Sequence, residues 1–123
     1  MRRVVVTGLG VVSPIGNDAA EVETSLRAGR SGIAFVPEMA EHGFRSQVAG
    51  TLKLDPASRL DKRRLRFMGP GAAYAAIALE QAVADAGLTE AEVSHERTGL
   101  IAGSGDPSTS ALFAAHQSVI ATG

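Results

Sequence analysis

Residues 1–17 read MRRVVVTGLGVVSPIGN, and the choice they pose decides how the rest of the chain is understood. Val4, Val5 and Val6 run into Thr7-Gly8-Leu9-Gly10, the pattern of a β-branched strand, apolar on both faces, feeding a glycine-rich turn. Such a turn cradles the pyrophosphate of a dinucleotide when G-x-G-x-x-G opens a helix and an acidic residue follows at a distance. Here the third glycine position is Ser13, and Pro14 follows it. Proline lacks an N–H and disfavours the helical region for the residue before it, so no helix runs from Gly10 through Ser13. No amide-rich helix N-terminus then faces the turn. The distant acid, Glu38, comes late and behind Pro37. The stretch reads as a strand with a glycine-rich turn, and a lone G-x-G is weak evidence for a nucleotide site.

Outward from this strand, Asn17 is placed to cap a helix with apolar positions Ala19, Val22 and Leu26, ended by a left-handed Gly29. Residues 31–36 read as a short extended piece stopped by Pro37. Residues 44–54 are strand-like but broken at Gly50, an excursion outside the main sheet. Residues 59–67 form a basic, partly amphipathic segment, a short helix or ordered turn. Residues 72–86 predict a strong helix: eight alanines with Ile77, Leu79 and Val83, closed by Gly87. Only Tyr74, Glu80, Gln81 and Asp85 interrupt its apolar circumference, so it should be covered on several sides or expose apolar surface and aggregate. Thr89 and Glu92 have the spacing of a capping box. Residues 98–103, TGLIAG, read as a second buried strand leading into Ser104-Gly105-Asp106-Pro107. Asp106 and Pro107 suit the N-cap and first position of a helix running to about Val119. Strands buried on both faces imply helices on both sides of a sheet, an α/β architecture. Two such strands do not make a sheet, and the chain reads as the opening part of a larger fold.

The composition narrows the function classes. Of 123 residues, 45% are apolar and 4% aromatic, without Trp or Cys, as in an α/β protein packed with small aliphatic side chains. With no cysteine there is no disulfide framework and no thiol nucleophile in these residues. His42, His95 and His116 lack metal-ligand spacing, so no metal is expected. Arg59, Lys62, Arg63, Arg64 and Arg66 put five positives within eight residues, against Asp61 alone. That net of +4 in a chain of net −1 leaves −5 elsewhere, so the positive partner surface is local. Aromatic interleaving is poor around it, which argues against nucleic acid. Arg2-Arg3 before an apolar stretch imitates a signal peptide, but Thr7, the glycines and Ser13-Pro14 interrupt it. No run approaches the ~20 apolar residues of a membrane span, and the expected location is cytoplasmic.

Taken together, VVVTGLGVVSPIGN, LRAGRSGI, FRSQVAG, LDKRRLRFM, AAYAAIALEQAVADAGL and GLIAGSG resemble, in order and spacing, the start of the beta-ketoacyl-acyl carrier protein synthases. FRSQVAG and RLRFM are more similar to the type I than the type II enzymes. The resemblance covers essentially the whole chain but only about the first third of such an enzyme. It implies a thiolase-like fold, layered α-β-α-β-α, of which residues 1–123 are the N-terminal portion of the first half. It implies a homodimeric acyltransferase of fatty-acid synthesis that condenses an acyl thioester with malonyl-acyl carrier protein. That chemistry needs an activated thiolate at a helix N-terminus and N–H donors for a thioester oxyanion. The family's cysteine and two histidines lie later in its sequence, so no catalytic residue is assigned here and the 123 residues alone should be inactive.

The resemblance places Lys62, Arg63 and Arg66 at the mouth of the pantetheine tunnel, where they receive the acidic carrier protein. Opposed charged patches raise on-rate more than affinity, which fits that role. Arg66 has an alternative, an inward stem paired with a carboxylate. The loop holding Gly105, Asp106 and Pro107 meets the acyl pocket near the dimer interface in the family. Asp106 stands where related enzymes usually have glycine, and a carboxylate is costly to bury unpaired beside an acyl chain. It either turns away as a helix cap or marks an altered pocket. The resemblance also implies that the glycine turn is structural, with Gly8 and Gly10 giving backbone freedom at a tight strand exit, and that no cofactor is bound. The competing readings are a carrier-protein docking module without chemistry and, disfavoured by Ser13-Pro14, a nucleotide-binding module.

Overall fold

The computed structural model describes residues 3–105 and 108–122. The longest described helix is Pro70–Asp85, whose polar side chains reach Leu9, Val11, Asn17, Leu54 and Arg64. In chain order the elements are α1 (Ala19–Arg27), β1 (Ile33–Phe35), α2 (Pro37–Glu41), β2 (Val48–Gly50), a 3₁₀ turn (Pro56–Ser58), α3 (Lys62–Leu65), α4 (Pro70–Asp85), α5 (Glu90–Val93) and α6 (Thr109–Thr122).

The helix boundaries follow local chemistry. α1 is capped by Asp18, one residue beyond the expected Asn17: its carboxylate accepts from Glu21 N at 2.9 Å, while Glu21 Oε2 accepts from Asn17 N at 2.8 Å. Asn17 thus enters the cap through its backbone, not its side chain. α4 starts at Pro70, where a missing N–H costs nothing, and ends with Gly87 at φ 66°. Gly87 N donates to Ala84 O and Leu88 N to Val83 O, which satisfies the last carbonyls. The Thr89–Glu92 capping box forms as the spacing predicts. Pro37 does not simply stop the extended piece. It opens the five-residue α2, again from the first helical position.

β1 and β2 pair antiparallel, with Ile33 opposite Gly50, Ala34 opposite Ala49 and Phe35 opposite Val48. This hairpin is the only sheet among the described residues. Residues 4–8 and 98–103 form no strand or bridge, contrary to the reading of both as buried strands. Val4 is 93% exposed and Ile101 99%. A strand apolar on both faces is specified by neighbours on both edges, and the described residues supply none. The most exposed apolar side chains are Ile101, Val4, Val6 and Phe67, none of them on α4, where Leu79 is the exposed large aliphatic side chain.

The segment after residues 4–8 is instead held by α4. Leu9 N donates to Asp85 Oδ2 at 2.9 Å and Val11 N to Gln81 Oε1 at 3.0 Å, so two carboxylate- or amide-bearing side chains one turn apart replace a partner strand. Gln81 Nε2 also reaches Asn17 O at 2.8 Å. A Cβ on Gly10 would collide with the Ala78 carbonyl and one on Gly8 with that of Ala82. Neither glycine has positive φ, so backbone freedom is not what they provide. They allow extended chain to lie against a helix. Residues 13–16 then close a tight turn, with Ser13 N donating to Gly16 O at 2.8 Å, and the first helix begins only at Ala19.

The core is small: Leu60, Ala73 and Ile77 are buried, with Val12, Leu54, Leu65, Met68 and Ala76 packed around them. It joins α4 to the segment holding α3, and so fixes where the basic residues stand.

Candidate functional site

α3 is a single turn, too short to persist on propensity alone. Asp61 caps it by accepting from Arg63 N at 2.6 Å. Leu65 and Met68 turn toward the Leu60–Ala73–Ile77 cluster and anchor its inner side. What remains outward is charge: Lys62, Arg63 and Arg66 are all exposed. The structure therefore brings these three predicted residues onto one turn of chain above the core.

Arg64 behaves differently. Its Nη1 donates to Glu80 Oε1 at 2.6 Å, and this half-exposed pair ties α3 to the middle of α4. The inward pairing considered for Arg66 is thus made by Arg64. Arg66 has no carboxylate partner among the described residues, and its guanidinium stands 5.9 Å from the Phe67 ring centroid. Tyr74 adds a further fastening, its hydroxyl donating to Leu54 O at 3.2 Å. All four polar side chains of α4 hold neighbouring chain: Tyr74 reaches Leu54, Glu80 reaches Arg64, and Gln81 and Asp85 share the stretch from Leu9 to Asn17.

Gly105 lines an open cleft of about 840 Å³ between the start of α4 (Gly69 to Ala72, and Ala75) and the start of α6 (Ser108 to Ser110). Among the described residues the cleft wall is made of glycine, alanine, proline and hydroxyl side chains, with no charged group. Asp106 and Pro107 lie outside the described residues, as does the cap they were expected to form. Among the described residues no group of His, Cys, Asp and Glu could hold a metal ion. His95 has a local use: its Nδ1 accepts from Arg97 N at 3.1 Å.

One polar node escaped the sequence reading. Ser25 is buried, donates to Ile15 O at 2.5 Å and accepts from Arg30 Nε and Nη2 at 3.3 and 3.1 Å. It locks α1 to the turn at residues 13–16. Its signal was the polar Ser25 on the same helical face as Val22.

Comparison with known proteins decides the ancestry of this arrangement. The family model for the beta-ketoacyl synthase N-terminal domain matches residues 1–121. The chain belongs to the beta-ketoacyl synthase family. A 3-oxoacyl-[acyl-carrier-protein] synthase 1 of Haemophilus influenzae is 54% identical over 105 residues, 85% of this chain and 26% of that protein. The synthase 1 of Escherichia coli K12 is 53% identical over 106 residues, with the same two coverages. A synthase 2 of Vibrio cholerae is 35% identical over 123 residues, 99% of this chain and 30% of its own length. Similarity to the type 1 relatives is thus higher, in line with the resemblance of FRSQVAG and RLRFM to that type. The chain spans about a quarter of the length of the type 1 relatives it matches. No described helix is long and apolar enough to cross a membrane.

Proposed function

We propose that the 123 residues form the N-terminal portion of a homodimeric, cytoplasmic 3-oxoacyl-acyl carrier protein synthase of type I. The enzyme joins an acyl thioester to malonyl-acyl carrier protein with loss of carbon dioxide. The observation that carries this reading is the family match from residue 1 to residue 121, supported by relatives named for that activity. In this reading the thiolate and proton-transfer groups are supplied by residues outside these 123, which contain no cysteine. The extended segments at 4–8 and 98–103 become strands of the layered thiolase-like sheet once their neighbours are present. The small-residue cleft at Gly105 borders the acyl pocket, and Asp106 and Pro107 follow Gly105 in the sequence of the same loop.

Within that enzyme Lys62, Arg63 and Arg66 receive the acidic carrier protein. Their support is geometric: three exposed cations on one turn, with the adjacent Arg64 already engaged by Glu80. Exposed charges of this kind act chiefly on encounter rate. The test is charge reversal, Lys62→Glu with Arg63→Glu, in the full-length polypeptide that carries these residues. Turnover of carrier-protein substrate should fall about tenfold at low salt, with turnover of a small-molecule thioester little changed. Equal losses on both substrates would remove the docking role. A docking module without chemistry is the second reading, favoured by the missing cysteine. It predicts salt-sensitive binding of acyl carrier protein and no condensation from the complete gene product.

A further inference from the structure

The geometry points to Glu80 as a positioning residue for the basic turn: its ion pair with Arg64 sets the direction in which Lys62, Arg63 and Arg66 are held, an inference that rests on the docking reading above. α3 is four residues long and has little rigidity of its own. Leu65 and Met68 seat its inner side on the Leu60–Ala73–Ile77 cluster, but apolar contact is non-directional and leaves a single turn free to rock. The Asp61 cap bonds Arg63 N within the same turn, which fixes shape and not direction. Direction comes from the bond between Arg64 Nη1 and Glu80 Oε1, 2.6 Å long and anchored on the 16-residue α4.

The period of α4 places Glu80 for this task. It follows Ala73 by seven residues and Ile77 by three, on the helix face that carries the buried core, so its carboxylate stands at the rim of the contact with α3. Lys62, Arg63, Arg64 and Arg66 otherwise crowd four cations into five residues. A carboxylate against Arg64 opposes their repulsion within the turn. The same negative charge is unfavourable to an acidic partner. If net charge were all that this turn offered a carrier protein, losing Glu80 would strengthen binding. If the turn must be held in one direction, losing Glu80 would weaken it. The two roles therefore carry opposite signs.

The experiment titrates immobilised acyl carrier protein with the full-length polypeptide that carries these residues, at several salt concentrations. It compares the parent with Glu80→Gln, the exchange Arg64→Glu/Glu80→Arg and the Lys62→Glu/Arg63→Glu variant. Glu80→Gln should weaken binding about threefold at low salt, a difference that shrinks as salt screens the half-exposed pair. The exchange keeps the net charge and re-forms the pair, so it should recover most of the loss. Tighter or unchanged binding by Glu80→Gln, with weakened binding by the Lys62→Glu/Arg63→Glu variant, would overturn the positioning role and leave the docking reading standing. Unchanged binding by that last variant would overturn the docking reading itself and the inference with it. An exchange variant no better than Glu80→Gln would also overturn the inference, since Glu80 would then act apart from Arg64. So would a melting temperature several degrees lower in Glu80→Gln, because the pair would then stabilise the whole protein instead of aiming one turn.

Discussion

Two apolar regions of this chain meet opposite fates. α4 is almost wholly alanine and aliphatic, yet Ala73 and Ile77 are buried and each of its four polar side chains secures a neighbouring stretch. Residues 4–8 and 98–103 are just as apolar, but Val4, Val6 and Ile101 stand almost fully exposed. The difference lies in where backbone hydrogen bonds are found. A helix closes its own, so its side chains are free to organise whatever lies nearby. A strand borrows every one of its bonds from another segment, and without that segment even a strongly β-branched sequence stays unpaired.

The sharpest way to break this comparison is to truncate one side chain in each region. Ile77→Ala removes a buried side chain at the centre of the only described core cluster and should destabilise the chain by about 2–5 kcal/mol. Ile101→Ala removes one that touches almost nothing and should change stability by less than about 0.5 kcal/mol. Denaturant titration of the 123-residue chain reads both. A comparable loss from Ile101→Ala would mean that residues 98–103 are packed in solution and the contrast is false.

A smaller effect tests the contact between the two regions. Gly10→Ala would place a methyl group against the Ala78 carbonyl and force the extended segment off α4. The expected cost is about 1–3 kcal/mol, with loss of amide-exchange protection at Leu9 and Val11, whose N–H groups are bonded to Asp85 and Gln81. Protection retained in a stable Gly10→Ala variant would show that the side-chain clips hold without close approach.

The same contrast explains what could be read from the chain. Caps and turns were legible because their determinants sit within four residues: Gly29, Gly87 and the Thr89–Glu92 box all behave as their spacing predicts. The basic segment was legible as a local charge excess. The pairing of residues 4–8 was not, since a strand's partners can be distant in sequence and no local pattern names them. The purpose of Gly8 and Gly10 was missed for a related reason. Glycine at a strand exit suggests conformational freedom, and only the position of α4 shows that it is close approach that matters.

The gentlest test concerns α5, which is exposed throughout and owes little to tertiary packing. If locally closed hydrogen bonds are enough to keep a helix in place, α5 should depend on its cap. Glu92 Oε2 accepts from Thr89 N at 2.8 Å and from Thr89 Oγ1 at 2.7 Å. The backbone bond from Thr89, followed by the hydroxyl bond, holds the Glu92 carboxyl below its ordinary value. Because the folded-state value is depressed, the carboxylate's contribution is fully present above the ordinary glutamate range and is lost as pH falls through the folded value. The stability advantage of the parent over Glu92→Ala, read from amide exchange at Val93 and Ser94, should therefore be constant near neutrality and shrink as pH drops below the usual glutamate range. Full exposure keeps that advantage small and lets salt reduce it. An advantage that stayed constant across the acid range would assign it to the helix propensity of position 92 instead of its charge, and α5 would then need contacts beyond its own cap to explain why it persists.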